Sequence, residues 1–218
     1  MTKKTSSKTR FDFDKQYNKF IIGTDEAGRG PGAGGVFASA VYFDKLDNNL
    51  IEKLSILNDS KQLTAKKREY LYDIVKNETI NSTICIEVKE IEQYNILNCS
   101  LKAMKLACEE VIKKIGTEDV LVLVDGNKLI RNFSYPQEFI IKGDSKSASI
   151  SAASILAKVS RDRYMEKLHE EFPMYNWKKN AGYLTAEHLN SIEKYGTCKY
   201  HRPSFLKKFF EKKGLNNG

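Results

Sequence analysis

The chain has 218 residues, and its 36 Lys and Arg against 28 Asp and Glu give a formal charge of +8. That length suits one substantial core, the positive balance favours an anionic partner such as nucleic acid, and no composition shift marks a second large module. No stretch offers the ~18 uninterrupted apolar residues of a membrane-spanning helix, and Met1 to Arg10 is basic and polar with no apolar leader core. Cys85, Cys99, Cys108 and Cys198 form no CxxC pair, and three of them lie in strongly periodic segments, where a small buried hydrophobe is the natural role. A reduced compartment and a soluble, cytoplasmic, monomeric protein are expected.

Residues 1 to 18, rich in Lys, Ser and Thr, read as a basic flexible tail ahead of a single unit over 19–218. Phe20 to Asp25 and Gly35 to Phe43 read as two strands joined through a glycine-rich segment, an antiparallel pair if the connection is short. A polar loop follows from Asp44 to Leu63, then a helix over Thr64 to Val75 with Thr64 as N-cap. Ile80 to Val88 alternates apolar and polar residues as a half-buried strand does. Leu97, Leu101, Met104, Cys108, Val111, Ile112 and Ile115 recur at helical spacing over Asn95 to Ile115, and Gly116 is placed to end that helix. The continuous apolar run Val120 to Val124 predicts a strand buried on both faces, and Phe139 to Ile141 a further short one. A long helix from about Ser147 to Glu170, rich in small residues at its start, can pack closely on a sheet. Shorter helices are expected near Thr185 to Tyr195 and Ser204 to Lys213. Three early strands followed by helix and strand alternation imply a mixed α/β sheet flanked by helices.

The chemistry gathers where apolar runs end. Asp25 and Glu26 close the first strand, and carboxylates hold hard cations such as Mg²⁺ and Mn²⁺. Gly28 and Gly30 flank Arg29 and leave the main chain open to a phosphate or sugar. Neighbours on a regular strand point to opposite faces, so a metal site shared by Asp25 and Glu26 requires a bend, which Gly28 makes feasible. Asp125 ends the buried run, where sites on α/β sheets commonly lie; taken alone it reads first as the start of the Asp125-Gly126-Asn127 turn. Asp144, taken alone, reads as the N-cap of the long helix. Lys61, Lys158 and Arg161 are candidates for phosphate contacts, balanced against plain surface charge. Lys207, Lys208, Lys212 and Lys213 alternate with Phe205, Leu206, Phe209 and Phe210 in a basic amphipathic end, best read as aromatic packing on the body. His169, His188 and His201 show no zinc spacing and are assigned no catalytic work.

Asp25-Glu26-Ala27-Gly28-Arg29-Gly30-Pro31 resembles the opening signature of the ribonuclease HII family, and further matches follow in order. They are Leu57-Asn58-Asp59-Ser60-Lys61, Val124-Asp125-Gly126, Lys142-Gly143-Asp144-Ser145, Ile150 to Val159, Gly182-Tyr183-Leu184-Thr185 and His201-Arg202-Pro203-Ser204-Phe205. The resemblance implies a ribonuclease H-like, five-stranded mixed sheet with a small helical C-terminal lobe over about 172–218. It implies that Asp25, Glu26, Asp125 and Asp144 form the catalytic metal cluster, holding two Mn²⁺ or Mg²⁺ ions. Gly28, Arg29 and Gly30 resemble the family's minor-groove probe, which senses a 2′-hydroxyl, and Tyr183 resembles the tyrosine that packs on the sugar after the ribonucleotide. The implied activity is endonucleolytic hydrolysis of RNA in RNA·DNA hybrids, with incision 5′ to ribonucleotides embedded in DNA, leaving 3′-hydroxyl and 5′-phosphate ends. The implied cellular work is removal of misincorporated ribonucleotides and leftover primer RNA.

One departure stands out. Where the family commonly has Leu-Ala-Gly-Pro-Val after Pro31, this chain has Gly32-Ala33-Gly34-Gly35-Val36. The two extra glycines are expected to loosen the loop that bears the probe, by roughly 1 kcal/mol each. Ribonuclease HIII is a sister family with an extra N-terminal domain, which the segment before Lys19 is too short to supply. A P-loop protein would need a GK[ST] ending that Gly28 to Gly35 lacks. A general metal nuclease of related fold, or a non-catalytic hybrid-binding protein, are the rival functions. Cleavage of all-DNA duplex would mark the first, and absence of metal-dependent turnover the second.

Overall fold

The computed structural model describes residues 7–57 and 63–214. A five-stranded sheet runs in the order β3-β2-β1-β4-β5. The central strand β1 (Phe20–Ala27) pairs antiparallel with β2 (Val36–Tyr42), which pairs antiparallel with β3 (Ile80–Ile86). On its other edge β1 pairs parallel with β4 (Val120–Asp125), and β4 with β5 (Gln137–Ile140). The sheet is mixed because a short connection returns antiparallel whereas a helical crossover returns parallel.

The helices, in chain order, are α1 (Ser7–Lys15), α2 (Asn48–Lys53), α3 (Ala65–Glu78), α4 (Val88–Tyr94), α5 (Ile96–Ile115), α6 (Ala148–Glu171), α7 (Trp177–Asn180), α8 (Ala186–Tyr195) and α9 (Pro203–Lys213). Their ends follow from local chemistry. The Thr64 side chain accepts from the Lys67 amide to start α3, Asn95 does the same for α5 through Asn98, and Gly116 ends α5 in the left-handed region at φ 77°. No helix among the described residues is long and apolar enough to cross a membrane.

Period-two alternation assigns the two faces of the sheet. Ile22, Val120, Val122 and Val124 pack with Ala103, Met104, Ala107, Cys108 and Val111 of α5, while Ile21, Leu121 and Leu123 meet Ile150 of α6. The small residues opening α6 let it approach closely: a Cβ on Gly23 would strike the backbone of Ser149 and Ile150. The C-terminal segments close a separate cluster of Tyr175, Trp177, Ile192 and Leu206 over Met165 and Leu168 of α6, and Ala33 from the loop after β1 joins it.

Three expectations are corrected. Where a flexible tail over residues 1–18 is expected, the described residues from Ser7 form α1, whose Phe11 is buried in a cluster with Val41, Leu54 and Leu156, and whose Asp14 accepts from both the amide and the hydroxyl of Ser149; residues 1–6 lie outside the described residues. A helix with only two aromatic residues among charged neighbours has almost no apolar period to read. The loop from Asp44 to Leu63 contains α2, held by an Asp47 cap and by buried Leu50 and Leu54. The strand expected to reach Val88 stops at Ile86, because Val88 opens α4.

Candidate active site

Asp25 and Asp125 lie on adjacent parallel strands, one residue beyond the Thr24 and Val124 pair, at the same edge of the sheet. Both share the parity of residues facing α6, and Asp25 is hydrogen-bonded by Ser154 of that helix. The bend expected at Asp25 and Glu26 is not needed. The ladder continues through both to Ala27, and Glu26 reaches the same cleft from the end of the strand. The Asp125 carboxylate accepts from the Gly143 amide at 2.7 Å, which ties the end of β4 to the 3-10 turn Gly143–Ser145 carrying Asp144. Asp144 is therefore not the cap of α6: Ser147 is, accepting from the Ile150 amide.

All four acids line one cleft of about 320 Å³ together with Gly28, Arg29, Gly30, Ser154, Lys158, Arg161 and Tyr183. Ser154, Lys158 and Arg161 follow the i, i+4, i+7 spacing that puts residues on one helix face. Burial, then the neighbouring Glu26 and Asp125 carboxylates, push the Asp25 carboxyl well above the usual range. Burial also raises Glu26, against the opposing pull of Arg29, whose guanidinium donates to it at 3.1 Å. With Glu26 turned to Arg29 and Asp125 to Gly143, no three acidic, His or Cys side chains among the described residues converge as a ready-made metal cage. The donor chemistry nevertheless fits a hard divalent cation. It offers carboxylate oxygens only, and the repulsion recorded at Asp25 is what a cation relieves.

The other expected residues separate into groups. Lys158 lines the cleft in an ion pair with Asp162. Tyr183 is 54% exposed at its mouth, and a Cβ on Gly30 would sit 3.3 Å from its ring. Lys61 lies outside the described residues. Arg161 is a correction. Only 2% exposed, it donates to the carbonyls of Ala33 at 3.0 Å, Gly35 at 3.2 Å and Ala181 at 2.9 Å, so its donors serve the main chain rather than a phosphate. On α9, Leu206 is buried and Phe209 and Phe210 pack on the lobe, as the aromatic-packing reading expects.

Arg202 is the residue the sequence reading passes over. It is fully buried and donates to the carbonyls of Pro31 at 2.8 Å and Gly34 at 2.6 and 2.9 Å, with a longer bond to Arg29 at 3.4 Å. Burial and the Arg161 charge push its guanidinium down to about 9, still cationic at neutral pH. Its motif is visible in the sequence, but nothing in spacing distinguishes a buried arginine from an exposed one. Arg202 and Arg161 together draw the carbonyls of the loop inward, and Gly32 and Gly34 complete the tie by donating to Gly182 and Tyr200.

The expected loosening by Gly32 and Gly35 is thereby corrected. Pro31 to Val36 is buried throughout. A Cβ on Gly32 would come within 2.5 Å of Leu184, and one on Gly35 within 2.7 Å of the Cys85 sulfur. Both glycines are close-approach positions in a clamped loop.

The profile of the family described as Ribonuclease HII matches residues 22–212. The chain belongs to the ribonuclease HII family. Ribonuclease HII of Caldicellulosiruptor bescii is 48% identical over 190 residues, 87% of each chain. Ribonuclease HII of Zymomonas mobilis subsp. mobilis is 44% identical over 212 residues, 95% of this chain and 96% of its own. Among solved structures, the ribonuclease H2 from Pyrococcus horikoshii OT3 superposes with a TM-score of 0.69 at 25% identity, covering 90% of this chain and 99% of its own. Bst-RNase HIII, crystallised in complex with Mn²⁺, shares the fold at a TM-score of 0.68 and 17% identity, over 94% of this chain and 73% of its own. As a ribonuclease HII the protein is an endoribonuclease of a divalent-metal-dependent family, and the mixed five-stranded sheet flanked by helices is the fold its sequence predicts.

Proposed function

We propose that the protein hydrolyses the RNA strand of RNA·DNA hybrids and incises duplex DNA on the 5′ side of embedded ribonucleotides, clearing misincorporated ribonucleotides and primer RNA. The observation that carries this reading is a single cleft lined by Asp25, Glu26, Asp125 and Asp144 together with Gly28, Arg29, Gly30 and Tyr183. The four acids are the residues that would hold Mn²⁺ or Mg²⁺. Such an ion, when bound, lowers the pKa of an attacking water and stabilises the leaving oxygen of an in-line displacement.

The chain's own residues supply position and selectivity. With the carbonyls of Arg29, Pro31, Ala33, Gly34 and Gly35 drawn inward by Arg161 and Arg202, the Gly28–Gly30 main chain is held in place where it lines the cleft. A main chain fixed in that way can test for the 2′-hydroxyl, the group that separates RNA from DNA. Tyr183 offers an exposed ring for the adjoining sugar, and Lys158 adds positive charge beside the phosphates.

The test is cleavage of a labelled DNA duplex carrying one ribonucleotide, with Mn²⁺, with Mg²⁺ and with chelator, beside an all-DNA duplex. Metal-dependent incision 5′ to the ribonucleotide alone is expected. Cutting of both duplexes would indicate a general nuclease, and cutting of neither a hybrid-binding protein.

A further inference from the structure

His188 and His201, to which the reaction gives no work, sit in the lobe at 0% and 2% exposure beside a fully buried Trp177. Their hydrogen bonds can run in only one direction. The Cys198 amide donates to His201 Nδ1 at 3.0 Å, so a neutral His201 carries its proton on Nε2. Burial and the neighbouring His188 push His201 down to about 4, which keeps it neutral at neutral pH. His201 Nε2 lies 3.1 Å from His188 Nε2, and Trp177 Nε1, which can only donate, lies 3.0 Å from the same atom. His188 Nε2 must therefore accept. Its proton is on Nδ1, which donates to the Tyr183 carbonyl at 3.0 Å.

That carbonyl belongs to a turn the backbone does not favour. Ala181 is a non-glycine residue at φ 48°, Gly182 follows at φ 81°, and the Tyr183 amide closes onto the Asn180 carbonyl. A left-handed alanine persists only when its surroundings over-determine it. The surroundings here are Arg161 on the Ala181 carbonyl, Gly32 on the Gly182 carbonyl and His188 on the Tyr183 carbonyl, besides the turn's own bonds from the Gly182 amide to Asn180 Oδ1 and from the Thr185 amide to the Tyr183 carbonyl. The first bond ties the turn to α6, whose Arg161 also holds the loop after β1, and the second ties it to that loop directly. The third is a side-chain hold from the lobe, shared with the Thr185 amide, on the carbonyl of the residue whose ring stands at the cleft.

We propose that His188 is a positioning residue for substrate recognition: fixed as the Nδ1–H tautomer by donation from Trp177 and His201, it sets the Tyr183 main chain and so the aim of the Tyr183 ring. The proposal rests on the reading of Tyr183 as the group that packs on the sugar beside the ribonucleotide. Ring displacement of a fraction of an ångström suffices to lower kcat/KM without touching the acids.

Two measurements test it. Imidazole ¹⁵N NMR of the unmodified protein near neutral pH is expected to show the His188 proton on Nδ1 and the His201 proton on Nε2. The opposite tautomers would overturn the proposal, with no substitution required. The second measurement is kcat/KM on the single-ribonucleotide duplex for His188→Phe, His188→Asn, Tyr183→Ala and the His188→Phe, Tyr183→Ala double variant, each checked by melting. His188→Phe is expected to lose about tenfold, and His188→Asn, whose amide donates from nearly the Nδ1 position, to recover most of it. The double variant is expected to cleave no more slowly than Tyr183→Ala alone. Multiplying losses, or an Asn variant no better than Phe, would overturn the proposal while leaving the reading of Tyr183 intact. Wild-type rates for Tyr183→Ala would overturn that reading and the proposal together.

Discussion

Asp25 and Asp125 stand at the ends of adjacent strands with their charges crowded, whereas the loop from Arg29 to Gly35 is held by two buried arginines that find carbonyl after carbonyl. The acids carry electrostatic repulsion, and the loop is held by hydrogen bonds. The contrast separates two tasks. Acids awaiting a cation must be close enough to repel, so they work against stability. On the proposed reading the main chain discriminates a single hydroxyl and must not move, so its fixing adds to stability.

Substitution can break this contrast at either side. The largest effect is expected from Asp125→Asn, which should lower turnover about 10³-fold or more, equivalent to about 4 kcal/mol, with an unchanged circular dichroism spectrum. Near-normal turnover in a folded variant would remove Asp125 from the chemistry. Arg202→Met keeps the stem but strands the carbonyls of Pro31 and Gly34, and is expected to cost about 3–5 kcal/mol in denaturant unfolding together with most of the activity. Lysine should not rescue it, because an ammonium cannot span the same fork of acceptors. A midpoint unchanged in Arg202→Met would deny the clamp its role.

Asp25→Asn probes the repulsion directly. The folded chain keeps the Asp25 carboxyl protonated to a higher pH than the ordinary 3.8 of the unfolded chain, so ionisation costs stability as pH rises from that value. Removing the charge should therefore raise Tm at pH 7 by about 2–4 °C without metal, and the gain should vanish below pH 3.8, where the wild-type carboxyl is neutral in both states. A lower Tm for the variant at pH 7 would show that the acids are not held against repulsion. The smallest effect is expected from Lys158→Met: the slope of log binding constant against log salt should fall by about 1. An unchanged slope would return Lys158 to its partner Asp162 alone.

The two sides also differed in how far the sequence disclosed them. The acids were only partly legible: Asp25 and Asp125 terminate apolar runs, but Asp125 alone reads as a turn and Asp144 alone as a helix cap, and it is the family resemblance that groups the four. The neighbours of β1 were less so, since a period of two tells which face a residue takes and not which strand lies beside it; the mixed five-stranded sheet came with the family resemblance, and its order β3-β2-β1-β4-β5 with the structure. The clamp was illegible. Whether Arg161 and Arg202 bind phosphate or carbonyl depends on where residues more than a hundred positions away fold, and local pattern holds no record of that. Gly32 and Gly35 misled for the same reason, because the freedom of an isolated glycine says nothing about Leu184 or Cys85 pressing on it.

The parallel seam between β1 and β4 joins Phe20 to Val120, so the two central acids are a hundred residues apart along the chain and meet only when that loop closes. During synthesis the early acids leave the ribosome long before their partner, and the loop-anchoring Arg202 is later still. A nascent chain therefore holds no assembled cleft until Asp125 has been made, and no clamped loop until Arg202 has followed it.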